Sequence, residues 1–193
     1  MRMTLTCAFA QWSPGLGDNN WVGWLTVAVY LAAALAAVAA ARAMPEPDPR
    51  TRRERIFWWG GAGLMLALGI NKQLDLQSLL TVIARCQAQL SGWYDTRRIV
   101  QEVFVYLIAA GGAVALGLLA LLLRGILLRV WPAFLGLGFV FVFVAIRAAS
   151  LHNVDVLLGS TIAGIKVNWL LELPGPTLVA LVALRRRTAA AIP

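Results

Sequence analysis

Two uncharged apolar runs of 21 residues, Trp21 to Ala41 and Val103 to Leu123, constrain this chain more than any other feature. A helix needs about 20 mostly apolar residues to cross a hydrocarbon core of about 30 Å. Val130 to Ile146 is uncharged over 17 residues, and Val167 to Leu184 carries one charge, Glu172, in 18. A shorter run, Ile56 to Ile70, covers 15 residues and must borrow from its flanks to span. The expected fold is all-α: a polytopic membrane protein forming one integral membrane domain over residues 1–193. Five transmembrane helices are expected near residues 21–41, 56–76, 103–123, 130–150 and 166–184.

Composition points the same way. The chain is 60% hydrophobic and 13% charged, against about 45–50% and about 25% in soluble domains. That argues against a water-soluble enzyme, a disordered protein and a nucleic-acid binder. The net charge of +8 is mainly a topology signal. Lys and Arg concentrate in cytoplasmic loops. Arg42, Arg50, Arg52, Arg53 and Arg55, then Arg124 and Arg129, then Arg185, Arg186 and Arg187 fall in alternate connections. This predicts a periplasmic N-terminus and a cytoplasmic C-terminus in a bacterial inner membrane. Residues 1–20 lack the uninterrupted apolar stretch of a signal peptide, and Cys7 lacks a lipobox. Trp21, Trp24, Trp58, Trp59, Trp93, Trp131 and Trp169 lie near span ends, where indole anchors at the headgroup level.

Residues 42–55, with three prolines, read as a stiff solvated connector. In the outer segment, Leu76, Leu79, Leu80, Ile83 and Leu90 share a helical face. This predicts an amphipathic surface helix over about 78–91, with Ser78 as a cap and Gly92 as its end. Cys7 and Cys86 fall on the same, oxidising side, so a disulfide between them is possible. Neither C-x-x-C nor C-x-x-C-H occurs, and one histidine cannot supply a bis-His haem. No cofactor is expected, although contact with lipid, quinone or pigment between apolar helices stays open.

Counting about 20 residues inward from each cytoplasmic anchor places ionisable groups of four helices at similar, outer-leaflet depth. They are Lys72 and Asp75, Glu102, Arg147, and Glu172 with Asn168; His152 and Asp155 follow just outside. Lys72 and Asp75, at i and i+3, can pair on one face. Charges at membrane depth normally face the bundle interior and pair. Lys72, Arg147 and Lys166 can thus offset Asp75, Glu102 and Glu172 in one polar network. Leu173-Pro174-Gly175-Pro176 leaves the carbonyls of Leu170 and Glu172 without helical donors, and a kink is the favoured outcome. Gly60, Gly61, Gly63, Gly111, Gly112 and Gly117 are expected to permit close helix contact. Phe139, Phe141 and Phe143 suggest contact with lipid or a partner.

Several segments together resemble a group of bacterial inner-membrane proteins with no established activity. They are Asn71-Lys72-Gln73-Leu74-Asp75-Leu76-Gln77, Gly92-Trp93-Tyr94 with Arg97-Arg98 and Gln101, Arg147 to Asp155, and Glu172-Leu173-Pro174-Gly175. The resemblance covers about residues 56–176 and implies no role for any residue.

Two function classes follow. The first is a non-catalytic accessory subunit of a larger membrane complex, respiratory or photosynthetic, packed against lipid and membrane-protein partners. The alternative is a membrane-embedded enzyme or small transporter with an outward-facing site for an anionic or lipid-like substrate. There His152 and Asp155 would act as base and orienter, and Arg97, Arg98 and Arg147 would hold an anion.

Overall fold

A computed structural model describes residues 2–12, 21–44, 48–74, 76–92, 97–149, 159–162 and 165–190. The chain is helical: α1 (Arg2–Gln11), α2 (Trp21–Ala43), α3 (Pro49–Leu74), α4 (Leu76–Leu90), α5 (Arg97–Leu123), α6 (Leu127–Ala149), α7 (Val167–Glu172) and α8 (Pro174–Ala190). A two-residue antiparallel pairing, Thr161–Ile162 with Ile165–Lys166, precedes α7. Four helices are long and apolar enough to cross a membrane: Trp21–Ala43, Glu102–Leu123, Leu127–Arg147 and Val167–Ala190. α3 is not among them, because its apolar run is short and its flanks are charged.

α3 starts earlier than expected. Arg50 to Arg55 belong to the helix and not to a solvated connector. Asp48 explains the start. Its carbonyl accepts the Arg52 N–H at 2.9 Å, and its carboxylate accepts the Thr51 hydroxyl at 3.5 Å. Pro49 occupies the first helical position, where its missing N–H forfeits nothing.

α2 stands at the centre, packed by α3 on one side and α8 on the other; α6 packs on α8, and α5 on α6. Its core face is alanine: Ala33, Ala34, Ala36, Ala37, Ala40 and Ala41 are buried. Small residues let membrane helices approach closely, which replaces the hydrophobic drive that lipid removes. α2 and α3 approach closely near Tyr30, where a Cβ on Gly69 would sit 3.2 Å from the Tyr30 Cβ. α6 and α8 meet backbone to backbone. A Cβ on Gly136 would lie 2.9 Å from the Gly175 carbonyl oxygen, and one on Gly175 would lie 2.9 Å from the Gly136 oxygen.

The glycine expectations divide. A Cβ on Gly112 would overlap the Phe141 ring, so this glycine does serve packing. Gly60, Gly61, Gly63, Gly111 and Gly117 face open space instead. Of the phenylalanines, Phe139 is exposed, Phe143 is buried, and Phe141 fills the notch at Gly112. Trp58 also departs from expectation. It is fully buried, whereas Trp21, Trp24, Trp59 and Trp131 are exposed as interfacial indoles would be.

The proline segment interrupts the last span at Leu173 without ending it. Leu173 keeps helical angles and donates its N–H to the Trp169 carbonyl at 3.1 Å. Thr177 returns both its N–H and its hydroxyl to the Leu173 carbonyl, at 3.2 and 2.7 Å.

α1 and α4 pair beside the bundle and are joined by a disulfide between Cys7 and Cys86. Thr4 donates its hydroxyl to the Gln87 amide oxygen at 2.7 Å. Thr4, Cys7, Ala8 and Gln11 recur at helical spacing, so one face of α1 meets α4. Gly92, at φ 73°, follows α4 in the left-handed conformation that suits a helix end.

Candidate functional site

The buried stripe of α3 runs through Trp58, Ala62, Met65 and Gly69. Extended by one step each way, the same stripe meets Glu54 and Lys72. They are 18 residues apart, five helical turns and about 27 Å. An acid and a base therefore stand on one face of one helix, separated by about the thickness of a hydrocarbon core.

Both are neutralised from the last span. At one end Lys72 donates to Glu172 Oε2 at 2.8 Å, with side-chain exposures of 8% and 3%. At the other end Arg186 donates from Nε to Glu54 Oε1 at 2.7 Å and from Nη2 to Oε2 at 3.0 Å. Glu54 is 1% exposed. Arg129 of α6 approaches its Oε2 at 4.0 Å, and the Trp58 indole N–H donates to its Oε1 at 3.5 Å. The polarity is complementary only in the antiparallel sense. Turning the last span around would set Glu54 against Glu172 and Lys72 against Arg186.

The Lys72 end holds further polar groups. Arg147 of α6 donates to Asn168 Oδ1 at 3.4 Å. The Tyr30 phenol is buried within the electrostatic field of Glu172 and Arg147. The terminal N and O of Gln73 are buried without a hydrogen-bond partner among the described residues. Lys166 lies 5.6 Å from the Trp169 ring centroid, and the Trp face attracts the ammonium.

Of the residues singled out by depth, the structure brings together Lys72 with Glu172 and Arg147 with Asn168. Glu102 is exposed on α5. Arg97 and Arg98 begin α5, but their side chains lie outside the described set. Asp75, His152 and Asp155 also lie outside the described residues. Lys72 and Glu172 are a hundred residues apart in sequence, so the pair could be anticipated by depth but not by spacing. The Glu54 centre escapes a reading by charge, because a lone acid among Arg50, Arg52, Arg53 and Arg55 looks like part of a solvated run. Its signal is the apolar period 58, 62, 65, which continues backward to 54.

The second feature of note is a groove of about 670 Å³ between α3, α5 and α6. Gly60, Gly61 and Leu64 line it from α3, and Leu119 and Leu122 from α5. Arg53 and Arg124 stand at the same end of the bundle as Glu54 and also line it.

The chain matches no protein-family profile, and no curated protein or solved structure is significantly similar to it.

Proposed function

We propose that the protein is a non-catalytic structural subunit of a larger bacterial inner-membrane assembly, docking through α5. The observation that carries this reading is how little of α5 the bundle covers. In an 18-residue apolar stretch of α5, 6% of the residues are buried, against 44% in the corresponding stretch of α2, 33% in α6 and 39% in α7 with α8. Gly111 and Gly117 on this helix have no neighbour where a Cβ would project. Close packing at small residues is what holds membrane helices together, so a second helix fits there. The charged groups of the bundle are meanwhile used against each other, Lys72 on Glu172 and Arg186 on Glu54.

In this reading the chain crosses the bilayer five times, α3 included. Two observations support that count. The disulfide ties the segment before α2 to the segment after α3, and α2 alone would leave its cysteines on opposite sides. The ion-pair centres on α3 also bracket one hydrocarbon thickness. Two independent signs support the orientation of this reading. Arg42, Arg50, Arg52, Arg53, Arg55, Arg124, Arg129 and Arg185 to Arg187 belong to the Glu54 end, the cytoplasmic side by charge bias. The disulfide lies at the other end, in the compartment that oxidises thiols.

The test is extraction in mild detergent followed by native mass analysis. The reading expects a stoichiometric partner that Gly111→Leu or Gly117→Leu releases without unfolding the chain. A monomer that retains full function in cells would overturn it.

A second reading, an outward-facing site for an anionic or lipid-like substrate, draws on the buried, unpartnered Gln73 amide beside Lys72. Burying an amide without partners costs roughly 1–3 kcal/mol, and a polar ligand would relieve it. Here Gln73→Leu or His152→Ala abolishes function while the fold persists; wild-type growth of both variants would sink this reading.

A further inference from the structure

We infer that the groove between α3, α5 and α6 binds one anionic glycerophospholipid. The phosphate is held by Arg53 and Arg124, and an acyl chain lies along the glycine floor of α3.

The groove is built as such a ligand requires. Its volume of about 670 Å³ falls within the roughly 300–1,000 Å³ of ordinary ligand pockets. Its wall is leucine and glycine with Ile56 and Phe57, and its charge comes only from Arg53 and Arg124. Both arginines line the groove beside the turn between α5 and α6. A Cβ on Gly125 would lie 3.9 Å from Arg53 Nη1, and Arg124 is its chain neighbour. The nearest acid in sequence, Glu54, is engaged by Arg186 in two hydrogen bonds. Two guanidiniums at the end of an apolar channel complement a phosphodiester followed by hydrocarbon, because Arg forks onto phosphate oxygens and basic pockets between membrane helices hold anionic headgroups.

The glycines provide the independent argument. Gly60 and Gly61 make no close helix contact, since a Cβ on either would meet nothing within 4 Å. Glycine lowers helix stability by about 1 kcal/mol relative to alanine. Two adjacent glycines that serve no protein neighbour leave a lane open. α5 packs on α6 and leaves its α3-facing side to the groove, so hydrocarbon must fill that space. An anionic headgroup makes the filling specific.

The test uses the full chain, purified and reconstituted in nanodiscs of dioleoyl phosphatidylcholine doped with dioleoyl phosphatidylglycerol, then released for native mass spectrometry. Wild-type protein is expected to retain one phosphatidylglycerol in preference to phosphatidylcholine. An arginine near an anionic headgroup contributes about fivefold in affinity, so Arg53→Gln with Arg124→Gln loses about 25-fold of that preference. Arg52→Gln, on the same turn but outside the groove, keeps it. Gly60→Leu with Gly61→Leu fills the lane and expels the lipid with both arginines intact. Helical circular dichroism and the intact disulfide establish that each variant is folded. Glycerol phosphate in excess does not displace the lipid, because the acyl lane carries part of the affinity. Equal retention of the two lipids, or a preference unchanged in the double arginine variant, overturns the inference. So does a dimer or a protein partner that occupies the groove and is lost on Gly60→Leu with Gly61→Leu.

Discussion

Arg186 holds Glu54 in a two-bond fork, Nε to Oε1 at 2.7 Å and Nη2 to Oε2 at 3.0 Å, across 132 residues of sequence. The acid is 1% exposed and the base 27%. Removing the two partners is therefore unequal. Arg186→Ala strands a buried carboxylate and is expected to destabilise the protein by up to about 3 kcal/mol, toward the low end for a broken buried pair because Arg129 stands nearby. Glu54→Gln leaves a half-exposed cation that water can solvate, and it costs less. Glu54→Leu with Arg186→Leu recovers most of the loss. Thermal unfolding of the three variants in one detergent checks the order.

The Lys72–Glu172 pair makes a stricter test, because both side chains are buried. Lys72→Met and Glu172→Gln each remove one charge of the contact. The double variant is expected to be more stable than the sum of the single losses implies, with a coupling of about 1–3 kcal/mol. Exchange of the charges, Lys72→Glu with Glu172→Lys, retains the pair. Additive single losses in a double-mutant cycle would show that the contact contributes nothing.

Gly112 and Gly111 are neighbours with opposite duties. Gly112→Val drives a side chain into the Phe141 ring and is expected to destabilise by about 1–3 kcal/mol, as overpacking does. Adding Phe141→Ala relieves the clash. Gly111→Ala meets open space and is expected to leave the isolated protein's stability unchanged or raise it by up to about 1 kcal/mol, the helix propensity gained. A partner seated on α5 would make Gly111→Ala destabilising in the complex alone, so stability is compared with and without it.

The Cys7–Cys86 bridge reports on sidedness. In intact spheroplasts, an impermeant maleimide is expected to label the cysteines only after reduction, since both thiols are engaged. Labelling without permeabilisation places them on the outer face; labelling that needs permeabilisation reverses the orientation. For a 79-residue separation, loop closure gives an upper bound of about 4–5 kcal/mol. Cys7→Ser loses less than this, because inserted helices already limit the unfolded chain. The loss is expected to appear as proteolysis at Arg2 and Arg85 before the bundle opens.

Depth was legible in the sequence, and neighbourhood was not. Run length located α2, α5, α6 and the last span, because hydrocarbon thickness imposes a number that residues can be counted against. The same counting found Lys72 and Glu172 at one level. It could not say that they face each other, since azimuth depends on which helices adjoin. Trp58 and Glu54 differ from expectation for the same reason: sequence position suggests an interface for Trp58 and a solvated run for Glu54, while their face of α3 turns inward. α1 lacked a long apolar run, and its helical face is a short polar pattern whose partner lies in α4. Pro49 looked like a breaker because prolines cluster around it, yet after Asp48 it begins a helix.

The distance in sequence between Glu54 and Arg186 also sets an order in time. Ribosomes add about 5–20 residues per second, so on the order of ten seconds separates the synthesis of the acid from that of its partner. Throughout that interval the α2–α3 hairpin carries a carboxylate whose eventual burial depends on a helix still to be made. Arg129 arrives sooner but remains 4.0 Å away. A nascent chain stopped before Arg186 is thus marked as incomplete by a buried carboxylate that lacks its two-bond partner and has only Arg129 beside it, a signal open to any membrane quality-control factor that senses polar groups in lipid.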